Sequence, residues 1–277
     1  MIAIAKPTTP STFTAKLPKI TWEKLPDDFK LPDEPVDNNL QPLLAEALRE
    51  ALELAGLLSE SILIATNFGI CATVADKTVV KATDWVYIAD VNALPEGVIR
   101  RSYTPKLEGD VPLLVLEFIS ETEGTEYSIN PHYPYGKWYF YEQILQVPLY
   151  GIFHPQTKTF DLFRLTDGRY EPQSPDENQR FWIPEMNLFL GVWDGQRSRL
   201  ATTWLRWWDD LGNLLLWGNE MIDQERQRAE QEHQRAEQER QRAEQAEARL
   251  QKEQAMRQRL VERLQKLDVD PDAEEYQ

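Results

Sequence analysis

Three side chains stand where packing alone explains them poorly: Asp84, Glu117 and Lys137. Glu117 lies inside the run Pro112-Leu-Leu-Val-Leu-Glu-Phe-Ile-Ser120. A segment apolar on both faces belongs in the centre of a covered sheet. An ionised carboxylate there is unfavourable unless it is paired or binds a metal. Asp84 interrupts a second strand-like run, Thr78 to Ile88, in which Val80, Ala82, Val86 and Ile88 form an apolar face by alternation. Acids on neighbouring strands could hold one hard divalent cation, Mg²⁺ or Mn²⁺, which prefers carboxylate, backbone carbonyl and water oxygens. A carbonyl near Phe118 could add a further ligand. Such an ion lowers the pKa of bound water and offsets the charge that develops on a phosphodiester.

Lys137 supplies the cation that such chemistry uses. It opens the stretch Lys137-Trp-Tyr-Phe-Tyr141, with Tyr141 one helical turn on. The helix dipole disfavours Lys at a helix start, so this position points to an anionic partner, either Glu117 or a substrate phosphate. The alternative is a buried Asp84–Glu117–Lys137 salt-bridge network with no metal. Buried ion pairs are often near neutral for stability, and the residues alone leave both readings open.

The elements that must position these residues follow from pattern. Asp37-Asn-Asn39 offers helix caps, and Pro42 suits an early helical position. Leu44, Ala47, Leu48, Ala51 and Ala55 recur at helical spacing, and Gly56 is a natural stop. Glu46, Glu50 and Glu53 flank that stripe. β-rich segments are expected at about 62–74 and 79–88, followed by an insertion at 90–110 and the Glu117 strand. A helix is expected from about 136 to 146. Strands at about 149–154 and 159–165 are joined by Pro155-Gln-Thr-Lys158, and Thr166-Asp-Gly-Arg169 reads as a hairpin turn. The order helix, strands, helix, strands predicts an α/β fold with a mixed β-sheet core flanked by helices.

Composition bounds the function classes. The 277-residue chain is 42% hydrophobic with nine Trp, enough for a sizeable core. Its one Cys excludes an intramolecular disulfide framework and fits a reducing, cytoplasmic setting. No apolar run approaches the ~18 residues of a membrane span, and the start lacks the pattern of a signal peptide. A net charge of −16 argues against strong non-specific DNA affinity, which rests on Lys and Arg neutralising phosphates. A local basic patch or a divalent metal could still support DNA binding.

Six Trp fall between Phe181 and Trp217. Aromatic clusters can stack on bases, but as a hydrophobic cap they anchor whatever follows. The tail then repeats a heptad, Glu225-Arg-Gln-Arg-Ala-Glu-Gln231, built from strong helix formers. Pairs such as Glu225–Arg228 and Arg228–Glu232 stand at i,i+3 and i,i+4 spacing. Each early heptad offers only Ala229, Ala236 or Ala243 to a seam, firmer near Leu250, Leu260, Leu264 and Leu267. The expectation is a long charged helix for spacing, homo-oligomerisation or a protein partner. The domain reading is a flexible arm over 1–20, a core over 21–218, a heptad helix or coiled coil over 219–267 and an acidic tail over 268–277.

From about Trp22 to Trp217 the chain resembles the Uma-type restriction endonucleases, a branch of the PD-(D/E)XK nuclease superfamily, and within it a cyanobacterial subset with a Trp-rich end and a charged helical tail. Lys81-Ala-Thr-Asp-Trp-Val-Tyr87, Arg100-Arg-Ser-Tyr-Thr-Pro105, Gly136-Lys-Trp-Tyr-Phe-Tyr-Glu-Gln143 and Trp204-Leu-Arg-Trp-Trp-Asp209 carry the likeness. The resemblance implies a restriction-endonuclease-like fold and a Mg²⁺-dependent (or Mn²⁺-dependent) endonuclease hydrolysing DNA. It makes Asp84 and Glu117 metal ligands and Lys137 the catalytic lysine, with Ser120 and Tyr141 supporting. Glu46 or Glu50 would be the first-helix acid. The chain departs from the family pattern at Thr83, where Pro is usual, and at Ile119, where the parent superfamily keeps its lysine. His154-Pro155 stands where the family often has Asp-Pro, and as a lone His reads as structural. The competing class is an interaction protein that keeps the nuclease fold without turnover, acting through the Trp-rich end and helical tail.

Overall fold

The computed structural model describes residues 38–75, 77–119 and 126–266. Helix α1 (Gln41–Leu54) starts where Asn38 Oδ1 accepts the N–H groups of Leu40 and Gln41 at 2.9 and 3.1 Å. It ends where Gly56, at φ 71°, lets the Leu57 N–H reach the Leu52 carbonyl at 3.0 Å. Its Leu44, Ala47, Leu48, Ala51 and Leu52 are buried along one stripe.

That stripe covers one face of a seven-stranded mixed sheet ordered β3-β1-β2-β4-β5-β6-β7. The strands are β1 (Leu63–Val74), β2 (Lys77–Ile88), β3 (Ser102–Tyr103), β4 (Leu114–Phe118), β5 (Leu149–His154), β6 (Thr159–Thr166) and β7 (Arg169–Pro172). β4 and β5 run parallel at the centre, while β2 and β6 flank them antiparallel. The two-faced apolar run of β4 has the expected cause. Leu114, Leu116 and Phe118 pack on the α1 side, and Val115 and Ile119 pack on the other.

The second face is covered by α2 (Lys137–Tyr139), which continues as a π-helical turn over Phe140–Leu145. The expected single helix over 136–146 is therefore a short α-helical start and a wider turn, a form common at functional sites. Gly136 is required at its entry, because a Cβ there would overlap the Ser128 carbonyl.

One expectation about β2 is corrected. Val80 is 53% exposed and Ala82 is also exposed, so they do not continue the buried face of Val86 and Ile88. The otherwise continuous β1–β2 register skips the pair Asn67 and Asp84, and Asn67 takes φ 45°. Alternation changes phase there. Val79 joins Val86 and Ile88 in the core on the α2 side.

The Trp-rich end forms a three-stranded antiparallel sheet, β8 (Arg180–Ile183), β9 (Leu188–Arg197) and β10 (Leu200–Trp208), ordered β10-β9-β8. It packs on α1, where the Trp207 and Trp217 indole N–H groups donate to the Leu48 and Ala47 carbonyls at 3.2 and 3.1 Å. Helix α3 (Gly218–Lys266) follows and buries no residue. Its 49 residues span about 73 Å at 1.5 Å per residue. The heptad ion pairs expected by spacing are not the ones formed. Among the described residues, Asp223–Arg226, Glu237–Arg240 and Arg240–Glu244 pair instead. Exposed pairs contribute so little that spacing does not select among them. No helix in the described residues is long and apolar enough to cross a membrane.

Candidate active site

Glu117 lies in the second half of β4 and its side chain is fully buried. Both oxygens are held. The Tyr141 hydroxyl donates to Oε1 at 3.0 Å, and Lys137 Nζ donates to Oε2 at 2.9 Å. Lys137 also lies 3.6 Å from Oε1 of Glu126, a buried acid in the loop before α2. The wide turn seats Tyr141 beneath the carboxylate, and Lys137 at the start of α2 keeps 22% of its side chain exposed.

Asp84 approaches from β2. Its Oδ2 accepts the Phe118 N–H at 2.6 Å, while Gln41 of α1 donates Nε2 to the Phe118 carbonyl at 2.8 Å. The β2–β4 register ends at Trp85 and Leu116. Side chains from β2 and α1 therefore take over the peptide groups of Phe118, next to Glu117. Thr83 donates its hydroxyl to the Trp85 carbonyl at 3.0 Å and is completely buried.

The electrostatics follow from this crowding. Burial pushes the Glu117 carboxyl from 4.5 up to about 8; Lys137 opposes the shift, and Asp84 and Glu126 add to it. Burial acts to lower the Lys137 ammonium, yet the charge and hydrogen bond of Glu117, with Asp84 and Glu126, move it upward overall. Burial and then the Glu117 charge push the Tyr141 hydroxyl well above its usual range. Lys81 is lowered, first by burial and then by Lys137. Poor solvation and neighbouring carboxyls thus hold protons where isolated carboxyls have lost them.

The structure thus gathers Asp84, Glu117, Lys137 and Tyr141. Ser120 lies outside the described residues. Glu46 and Glu50 are not brought to the site. Glu46 is 3.8 Å from Arg197 and largely exposed, and Glu50 accepts from Arg197 at 2.5 Å and from the Gly218 N–H at 3.1 Å. Two residues that sequence reasoning missed, Gln41 and Glu126, are present instead. Gln41 precedes the apolar stripe of α1 beside Pro42, and its neutral side chain gave no signal. Glu126 was one acid among Glu121, Glu123 and Glu126 in a polar loop.

Among the described residues, no group of three or more His, Cys, Asp or Glu is placed to hold a metal ion together. The donor set nevertheless fits a hard cation. Gln41 Oε1 is buried with no hydrogen-bond donor among the described residues, and Gln41 and Asp84 line a cavity of about 60 Å³ with Thr66 and Asn67. An unsatisfied buried acceptor is unfavourable, and carboxylate and amide oxygens are the ligands a hard divalent ion takes.

Residues 30–201, more than half of the chain, match the model of the Uma2 family, whose description is "Putative restriction endonuclease". The chain belongs to the Uma2 family. A search of curated proteins finds no match. The mixed central sheet with helices on both faces is the restriction-endonuclease-like fold that this family implies, and membership points to a nuclease.

Proposed function

We propose that this Uma2 chain hydrolyses phosphodiester bonds of DNA at the Glu117 cluster, as a Mg²⁺- or Mn²⁺-dependent endonuclease. The observation that supports it most is the anchoring of the buried Glu117 carboxyl, which takes Tyr141 on one oxygen and Lys137 on the other with Asp84 and Glu126 close enough to act on both groups. Asp84 and Glu117 would hold the cation, with Gln41 Oε1 beside Asp84. When bound, the ion supplies an activated water and positive charge opposite the phosphate.

The chain's own residues do the remaining work. Tyr141 and Lys137 fix both Glu117 oxygens, so the carboxylate cannot swing. Lys137, charged and with part of its side chain exposed, can orient the attacking water or steady the negative transition state. Asp84 and Gln41 hold the Phe118 peptide, which keeps the end of β4 rigid.

The test is cleavage of plasmid and linear DNA with Mg²⁺ or Mn²⁺. Wild type should nick or cut, while Asp84→Ala and Lys137→Ala should not. Activity that survives both substitutions would sink the assignment. The interaction-protein reading rests on α3, which buries nothing, and predicts no cleavage by wild type with any divalent ion.

A further inference from the structure

Most Lys and Arg side chains in the core have a carboxylate beside them. Arg49, Arg100, Lys137, Arg164, Arg180 and Arg206 each lie 3.7 Å or less from one. Lys81 does not. Among the described residues its ammonium has neither an ion-pair nor a hydrogen-bond partner. It is also no freely solvated side chain, because it is half-buried on β2. Burial lowers its pKa from the ordinary 10.5, and the next largest influence on it is the ammonium of Lys137. With part of its surface in water, a Lys that starts so high stays charged at neutral pH. A half-buried ammonium that feels a second ammonium, with no acid of its own, is unfavourable in the protein alone.

The register fixes where this charge sits. The partner of Lys81 on β1 is Ile70, and Ile70 pairs in turn with Tyr103 of β3. Both are buried in the core on the α2 side, and directly paired residues of neighbouring strands share a face. Val79, two residues before Lys81, is buried there too. Lys81 therefore belongs to the side of the sheet on which Lys137 opens α2. The pair Trp85 and Leu116 aligns β2 with β4. Lys81 stands one strand from Glu117 and about three residues along, beyond the carboxyl end of β4. At ~4.8 Å between strands and ~3.3 Å per residue, the two Cα atoms lie about 11 Å apart. Lys137 is answered by Glu117 and Glu126. What would answer Lys81 is an anion that reaches this end of the sheet from outside.

We propose that Lys81 holds a backbone phosphate of the DNA strand cleaved at Glu117 and Lys137, next to the scissile one. The proposal rests on the nuclease reading of that cluster and adds a substrate-binding residue to it. Lys137 works at the bond that breaks, and Lys81 keeps the strand in place beside it. An ammonium on a flexible stem suits this task, since it takes a phosphate as a point charge.

The experiment measures binding, cleavage and stability separately on the full chain. Lys81→Met keeps the aliphatic body and removes the charge. Arg199, an exposed cation in the turn between β9 and β10, supplies the control. A fluorescein-labelled DNA duplex is titrated by anisotropy in Ca²⁺ at several salt concentrations, and its cleavage is followed in Mg²⁺. Lys81→Met should weaken binding roughly tenfold at low salt. The slope of log K against log salt should fall by about one, with KM raised and kcat little changed. Lys81→Arg should keep the slope, and Arg199→Met should match wild type. The Tm of Lys81→Met should stay level or rise, because no partner is lost. A lower Tm with an unmoved salt slope would make Lys81 structural and overturn the proposal. An equal loss of slope in Arg199→Met would overturn it as well, since overall charge would then explain both. Wild type that cleaves while Lys81→Met binds normally overturns the proposal and leaves the nuclease reading intact. Wild type that binds with a Lys81-dependent slope and never cleaves overturns the nuclease reading alone. Wild type that neither binds nor cleaves overturns both.

Discussion

Two buried charged clusters lie on opposite faces of the main sheet, and they are built differently: one centres on arginines stacked on Trp rings, the other on a carboxyl. In the Trp-rich end, Arg206 is completely buried and paired, although its Nε has no hydrogen-bond partner among the described residues. Glu220 grips it at 2.7 and 3.0 Å, the Leu215 carbonyl accepts at 2.9 Å, and the guanidinium lies 3.4 Å from the centre of the Trp217 ring. Arg197 is answered by Glu50 in the same way. Around Glu117, Lys137 is held by Glu117 and Glu126 and feels Asp84 as well, while Lys81 lies close enough to feel Lys137. Buried charge does not by itself mark an active site. A carboxyl pushed as far from its ordinary range as Glu117 is the better pointer.

Substitutions should separate the two clusters by the sign of what changes. The largest effect expected is on catalysis. Lys137→Ala should lower the cleavage rate by at least ~10²–10³-fold, the scale of losing one aimed donor in a closed site, with only a small shift in Tm. If cleavage assays show a loss below tenfold, the lysine has no such role. Arg206→Ala should do the reverse. It strips the partner from Glu220 and should destabilise by ~3–5 kcal/mol in a denaturant melt, with unchanged cleavage per folded molecule. The double change Arg206→Met with Glu220→Leu should recover much of that loss, and failure to recover would mean that the Trp stacking matters more than the pair.

A third effect is smaller and depends on pH. Between pH 4.5 and about 8, folded Glu117 holds a proton that the unfolded chain has released. The folded state then binds more protons than the unfolded one, so this group's contribution to stability is full below pH 4.5 and is lost as pH rises through 8. Glu117→Gln removes that slope and should raise Tm at pH 8.5, by roughly 2–4 °C per kcal/mol relieved, while abolishing cleavage. Thermal melts at pH 5 and 8.5 check it, and an unchanged slope in the variant would contradict it. Divalent-ion affinity should increase over the same window, since the ligand must lose its proton.

The smallest effect concerns α3. Ending the chain after Trp217 deletes Glu220 and should cost much of what Arg206→Ala costs. Ending it after Gln224 keeps the anchor and removes only exposed helix, whose pairs contribute ~0–1 kcal/mol each. Core stability and cleavage should then be unchanged, as melts and cleavage rates of the two truncations would show.

What the sequence made legible depended on how local the signal was. The caps of α1, its stripe and the two-faced run of β4 are decided within a few residues, and they hold. Lys137 and Tyr141 were findable because their helical spacing survives the change from α- to π-helical turn. The phase change at Asp84 was not legible, because it depends on Asn67 across the strand pair. Glu46 and Glu50 looked suitable as acids, but the buried stripe sets the rotation of α1 and turns them to Arg197, bringing Gln41 to Phe118 instead. The strands of the Trp-rich end were hidden because their apolar face exists only against α1, more than a hundred residues away. Glu126 had no pattern at all, since it is one of several acids in a polar loop and only its folded position beside Lys137 marks it.

The Glu117 cluster is tested most directly by its affinity for a cation. Mn²⁺ should be titrated into wild type, Asp84→Ala, Glu117→Gln and Glu50→Gln at pH 8.5, with bound ion read by electron paramagnetic resonance. The account predicts one site at or below millimolar metal in wild type and Glu50→Gln, lost in Asp84→Ala and Glu117→Gln. Equal binding by all four proteins, or none by wild type at millimolar Mn²⁺, would contradict it.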